Sequence, residues 1–168
     1  GVADRGRNNL DLRPATRRDV TQLIELANRS YLDGIGPTAP PGYADDFSGR
    51  GGLRGYVETD WPRIMVAERG GQIVGLCGVH DENVVALFVD PPAQRQGIGT
   101  HLLGDAVRRI GEAGHDVARL GVAEGTVAEA FYAAQGWNEV RREPIKLASG
   151  HEAMLVWFVK TTRRGDQH

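Results

Sequence analysis

The chain predicts a mixed α/β layer fold, and three observations predict it. Segments with helical periodicity alternate with short apolar runs in the order β-α-α-β-β-β-α-β-α-β-β. The run from Val84 to Val89 is apolar throughout, as in a central strand buried on both faces. Gly97-Ile98-Gly99 then stands where the loop after that strand meets an amphipathic helix, which presents bare backbone at a helix start.

Each element has its own signal. Leu10 to Arg13 reads as a first strand stopped by Pro14. Thr16 with Asp19 three residues on resembles a capping box, and Val20, Leu23, Ile24, Ala27 and Tyr31 recur at helical spacing behind it. Residues 33 to 55 carry ten glycines and prolines, too many breakers for a long helix, and a connection of that length is often functional. A short helix over 53 to 60 ends before Pro62. Ile64–Glu68 and Gln72–Val79 are strands joined at Arg69-Gly70-Gly71, a hairpin signal. Beyond Val84–Val89, the positions Leu102, Leu103, Ala106, Val107 and Ile110 share one helical face, with Gly114 as the stop. Val117–Val122 is a strand and Val127–Gln135 a helix closed by Gly136. Trp137–Arg142 and Met154–Lys160 form a final antiparallel pair.

The 168 residues fit one domain over 10–160, with flexible tails at 1–9 and 161–168. A net charge of −2 gives no support to nucleic-acid or anionic-membrane partners. No apolar stretch approaches the roughly 20 residues that span a bilayer, and no secretion signal opens the chain. The single cysteine, Cys77, excludes an internal disulfide and points to a reducing, cytoplasmic setting; its apolar neighbours mark it as a buried small hydrophobe. The histidines lack paired spacing, so no metal site is expected.

The glycines at 97 and 99 admit several readings. A phosphate loop of the nucleotide type requires Gly-Lys-Ser/Thr after them, which is missing. A dinucleotide fingerprint would put its third glycine at 102, where Leu102 stands. What remains is an anion cradle or a Gly-rich connection without a ligand.

A family resemblance separates these two. Leu87-Phe88-Val89-Asp90-Pro91 followed by Gln94-Arg95-Gln96-Gly97-Ile98-Gly99 resembles the acetyl-CoA signature of the GNAT N-acetyltransferase superfamily, whose core is Gln/Arg-x-x-Gly-x-Gly/Ala. Leu12-Arg13-Pro14-Ala15-Thr16 with Asp19 resembles its first strand and helix start. Phe131-Tyr132-Ala133-Ala134-Gln135-Gly136-Trp137 resembles its Phe-Tyr-x-x-x-Gly-Phe segment. Order and spacing agree over roughly residues 10 to 160. The resemblance implies a mostly antiparallel sheet of six to seven strands, splayed between the fourth and fifth, with helices on both faces.

The resemblance also implies an acyl-CoA-dependent N-acyltransferase, with acetyl-CoA as cosubstrate and a primary amine of a small molecule, peptide or protein as acceptor. Transfer would be direct, in a ternary complex, and dimers are common in the family. The backbone amides of Gln96, Gly97, Ile98, Gly99 and Thr100, with Gln94 and Arg95 before them, would hold the coenzyme A pyrophosphate, which unpaired amides and the helix dipole both favour. Backbone groups of Leu87, Phe88 and Val89 would pair with the pantetheine arm. Tyr132 matches the family's general acid, and a phenol is a suitable proton donor to a departing thiolate.

The base is open. Many members carry Glu just before the central strand, where this chain has Asn83; Glu82 and His80 are the neighbouring candidates, with a water relay or no dedicated base as alternatives. The family's Asn after the fifth strand is absent too, and Thr126 is its candidate replacement at the cofactor, although it also reads as a helix N-cap. The aromatic and acidic residues between Tyr31 and Trp61 would either frame an amine pocket or form a surface loop with its own small core. The competing class is a GNAT-fold module that binds acyl-CoA without turnover, as a sensor or partner-binding subunit.

Overall fold

In the computed structural model, which describes residues 9–49 and 51–162, seven strands form one sheet. They are β1 (Asp11–Pro14), β2 (Ile64–Arg69), β3 (Gln72–His80), β4 (Asn83–Val89), β5 (Val117–Ala123), β6 (Asn138–Lys146) and β7 (Glu152–Thr161). Their spatial order is β1-β2-β3-β4-β5-β7-β6, and every neighbouring pair is antiparallel except β4 with β5. Helices α1 (Val20–Asp33), α2 (Gly52–Asp60), α3 (Ile98–Glu112) and α4 (Val127–Ala134) complete the expected order of elements.

The sheet divides two apolar clusters. On one face α1 and α2 bury Leu23, Ile24, Tyr56 and Val57 against Val66, Leu76, Ala86 and Phe88. On the other, α3 and α4 bury Ile98, Leu102, Ile110 and Tyr132 against Ala67, Cys77, Val84 and Leu120. Gly75 on β3 lets α3 lie close, since a Cβ there would stand 2.9 Å from Leu102 Cδ1 and 3.1 Å from Ile98 Cγ2. The predicted tail boundary at 161 differs from the structure: β7 runs through Thr161, and Thr162 is fully buried with its hydroxyl bonding to His115 and Asp116 carbonyls. The rest of that tail, 163–168, and residues 1–8 lie outside the described residues.

The departure that matters for function is in β4. Gly78 pairs with Ala86 but Val79 pairs with Val84, so Val85 is an extra residue with no partner of its own on β3. A bulge of this kind breaks the alternation of faces and bends the strand. Val84 accordingly joins the α3–α4 cluster, whereas Val85 and Ala86 both pack on the α1–α2 side. Past the bulge β4 leaves β5, and the parallel pair is registered only at Asn83 and Arg119. The two strands therefore form a V, closed at Asn83 and open at Val89.

The start of α1 is held by charge. Asp19 Oδ2 accepts from the Thr16 N–H (2.7 Å) and hydroxyl (3.1 Å), and Arg13 donates to both Asp19 oxygens and to Glu68. The Arg13 guanidinium holds the buried Asp19 carboxyl down at about 2, below its ordinary value. A depressed carboxylate stabilises the fold above its unfolded pKa near 3.9 and loses that stabilisation as pH falls through the folded value. Asp19→Asn should therefore cost roughly 2 kcal/mol at neutral pH. Urea titrations should show the wild type losing stability between about pH 4 and pH 2 while the variant's curve there is flatter.

Segment 34–49 follows α1. Short helical turns at Gly36–Thr38 and Ala44–Gly49 carry it from the end of α1 toward α2. Asp46 Oδ2 accepts the Ala148 N–H at 2.6 Å, and the Ser149 hydroxyl donates to the Pro41 carbonyl at 3.2 Å, which ties the segment to the β6–β7 turn.

Candidate active site

The open end of the V forms a groove of about 390 Å³. Its floor is the end of β4, at Leu87, Phe88 and Val89. One wall is the loop and helix start at Gln94, Arg95, Gly97, Ile98, Gly99 and Thr100; the other is α4 at Val127, Ala128, Phe131 and Tyr132. The structure thus brings together ten of the predicted site residues. Ser30, Gly34 and Ile35, at the end of α1, also line the groove, and no motif marks them. Val127 at its mouth is 54% exposed; an apolar residue opening a helix right after Thr126 was the available signal.

The helix start is built to receive an anion. The first bond of α3 runs from the His101 N–H to the Gly97 carbonyl, so the amides of Ile98, Gly99 and Thr100 have no acceptor within the helix. No side chain caps them. Gly97 sits at φ +80, where an L residue is strained, and a Cβ built on it would meet nothing within 4 Å. Arg95 takes a left-handed conformation at φ +64, so the loop turns sharply just before the helix. Arg29 of α1 holds the loop's base, donating to both Asp90 oxygens at 3.1 Å, and Gln94 Nε2 donates to the Val89 carbonyl at 3.2 Å. Because β5 diverges, the β4 edge facing it is free to pair with an extended ligand.

Tyr132 stands where the groove meets the V. It is buried, with ring centroids 5.2 Å from Phe131, 5.8 Å from Trp137 and 6.4 Å from Phe158. Burial pushes its phenol well above the ordinary value, so the proton is retained through the neutral range. It lines the groove on one side and, on the other, a narrow cleft between β4 and β5.

Three predicted residues stand elsewhere, and a fourth does so with its side chain alone. The Gln96 side chain turns away from the groove, toward the Arg69 guanidinium, which donates to its carbonyl oxygen, while its backbone N–H, the group expected at the pyrophosphate, lies between Arg95 and Gly97 of the groove wall. Thr126 is buried and its hydroxyl donates to the Ala123 carbonyl at 2.8 Å, so it lines the cleft between the strands and does not reach the groove. His80 ends β3 and Glu82 lies in the turn to β4, at the closed end of the V. Leu87 is five positions beyond Glu82, about 16 Å at ~3.3 Å per residue. The Glu82 carboxylate lies 3.6 Å from His115 Nδ1, and His80 Nδ1 is 3.5 Å from the Asp81 carboxylate. Neither lines the groove or the cleft, and among the described residues no carboxylate lines the groove.

Cys77 is buried in β3, where burial pushes its thiol up to about 12, so it is no nucleophile. Among the described residues no group of three or more His, Cys, Asp and Glu could hold a metal ion, and no helix is long and apolar enough to cross a membrane.

The sequence profile of the acetyltransferase (GNAT) domain matches residues 47–153, more than half of the chain. No curated protein matches it. Solved structures do, at low identity. YjaB from Escherichia coli, in its apo form, is 21% identical over 89% of this chain and 96% of its own, with a TM-score of 0.69. YncA from Salmonella typhimurium, solved with its cofactor acetyl-CoA, is 18% identical over 95% of both chains, with a TM-score of 0.68. The PaiA N-acetyltransferase from Thermoplasma acidophilum, in complex with coenzyme A, is 15% identical over 91% of this chain and 99% of its own, with a TM-score of 0.66. These likenesses establish the fold: a mostly antiparallel sheet splayed at one parallel pair, with helices on both faces.

Proposed function

The chain belongs to the GNAT acetyltransferase family, and from that premise we propose that it transfers the acetyl group of acetyl-CoA directly to a primary amine. The unit that carries this activity is a single domain, expected over 10–160 and extended by β7 and the buried Thr162 to 162. The observation that carries the proposal is the position of Tyr132, which lines both the groove headed by unpaired amides and the cleft through the sheet.

The groove fits the cosubstrate. The amides of Ile98, Gly99 and Thr100 and the open space at Gly97 suit a pyrophosphate, which the positive end of the α3 dipole also attracts. The free edge of β4 at Leu87–Val89 suits the amide-bearing pantetheine arm. Bound there, acetyl-CoA supplies an activated thioester. The chain orients it between β4 and α4, keeps water out with Phe131 and Ile35, and holds a proton ready on the Tyr132 phenol.

Freeing an alkylammonium of its proton at pH 7 costs roughly 4 to 5 kcal/mol. With Glu82 and His80 at the far end of β4, desolvation in the apolar cleft does this work, since burial disfavours the charged amine. The ammonium sheds one proton to solvent on entry. Its nitrogen then bonds to the acyl carbon as the C–S bond breaks, Tyr132 gives its proton to the departing sulfur, and the proton lost by nitrogen restores the phenol. Buried Cys77 leaves no covalent acyl-enzyme route, and a lone free cysteine suits a reducing, cytoplasmic setting.

Acetyl-CoA at about a hundredfold over its Kd should stabilise the fold by about 2.7 kcal/mol, or a rise in Tm of roughly 5–10 °C. A panel of primary amines should then give free thiol. Absence of stabilisation by every acyl-CoA tested would overturn the proposal.

A further inference from the structure

The V opens through the sheet. From Tyr132 and Leu87 the narrow cleft, about 60 Å³, passes between Val84 and Val85 on β4 and Leu120 and Gly121 on β5. It widens on the opposite face into a second hollow of about 400 Å³, walled by Phe47, Leu147, Leu155 and Trp157. Val84, Val85, Leu120 and Gly121 line both cleft and hollow, and Leu87, Phe88 and Tyr132 line both cleft and donor groove, so each space adjoins the next.

Resting on the acetyl-transfer reading above, we propose that the hollow selects a hydrophobic acceptor: a primary amine on an unbranched carbon, carrying one apolar body and no second positive charge.

The cleft sets the first requirement. At ~10–15 Å³ per probe-sized water its volume holds about four to six small groups, so a nitrogen on a short methylene chain fits it better than one with a branch beside the nitrogen. Tyr43 narrows it further, with its hydroxyl against the Ala123 backbone and its phenol raised by burial. The walls of the hollow set the second. Trp157 is fixed as a flat wall, because its Nε1 donates to Glu143 at 2.9 Å and the Arg141 guanidinium covers its ring at 5.1 Å.

The charges set the third. Among the described residues the charged ones lining the hollow are Asp46 and Lys146, one of each sign, and Asp46 Oδ2 already accepts the Ala148 N–H. Lys146 opposes a second ammonium, and among the described lining residues Asp46 is the single carboxylate that could offset it. An apolar body also removes the amine from water and so favours the neutral, attacking form.

The test uses acetyl-CoA with 4-phenylbutylamine, its α-methyl-branched analogue, spermidine and an alanine-initiated peptide, read as thiol release. The proposal expects kcat/KM for 4-phenylbutylamine to exceed each of the others by about tenfold or more. Val85→Phe, which narrows the cleft, and Leu155→Lys, which charges the hollow, should each raise KM for that amine while acetyl-CoA still raises Tm. A polyamine, a branched amine or a peptide as the best acceptor would overturn it. Calorimetric binding of N-(4-phenylbutyl)acetamide supplies an arm independent of turnover. Amide binding that both variants weaken supports the hollow's selectivity even if no amine reacts, in which case only the acetyl-transfer reading fails. Amide binding absent in the wild type overturns the inference.

Discussion

Gly99→Val is expected to abolish the rise in Tm caused by acetyl-CoA while leaving the unliganded fold nearly as stable as wild type. A Cβ at Gly99 would meet Phe131 Cζ and Val89 Cγ2 at 3.6 Å, ordinary van der Waals contact, so the helix start accommodates it. Those two residues face each other across the groove. The methyl groups of valine would then occupy the space between them, directly over the unpaired amides of α3. The cost falls on the ligand and not on the chain. Gly99→Ala should be intermediate. Melting curves with and without acetyl-CoA distinguish this from general damage, which would lower the unliganded Tm as well.

Tyr132→Phe should lower kcat by about a hundredfold or more and leave the affinity for acetyl-CoA nearly unchanged. The ring packs against Phe131, Trp137 and Phe158 and is kept by the substitution. Only the hydroxyl is lost, and with it the proton that burial holds on the phenol in the neutral range. Initial rates of thiol release beside an acetyl-CoA titration separate the two quantities. An unchanged kcat would show that water protonates the departing sulfur.

Much of this architecture is legible in local signals. The Arg69-Gly70-Gly71 hairpin, the Thr16–Asp19 cap and the helical faces of α1 and α3 depend on neighbours within a few residues, and all stand where periodicity and turn chemistry put them. The bulge at Val85 is different. Val84 to Val89 is apolar at every position, so a flip of faces leaves no trace in the alternation that reveals it elsewhere. Glu82 and His80 are candidates as neighbours of Asn83, where the resemblance expects a base, and neither lines the groove or the cleft.

The side-chain directions of Thr126 and Gln96 are hidden for a related reason. Adjacency to a cap or a glycine does not say which way a side chain turns. Thr126 turns back to the Ala123 carbonyl and Gln96 out to Arg69. Segment 34–49, opaque as a run of breakers, takes its place from a contact about a hundred residues away, between Asp46 and Ala148, which no local pattern could disclose.

If a thioester held at the start of α3 is attacked by an amine arriving through the V, with Tyr132 between them, thiol release from acetyl-CoA and the amide formed should rise together. Measured with and without a primary amine, release should require the amine, equal the amide in amount and fall about a hundredfold in Tyr132→Phe. A protein that acetyl-CoA stabilises, yet that releases no thiol with any amine, would contradict that attack and mark the groove as a binding site without turnover.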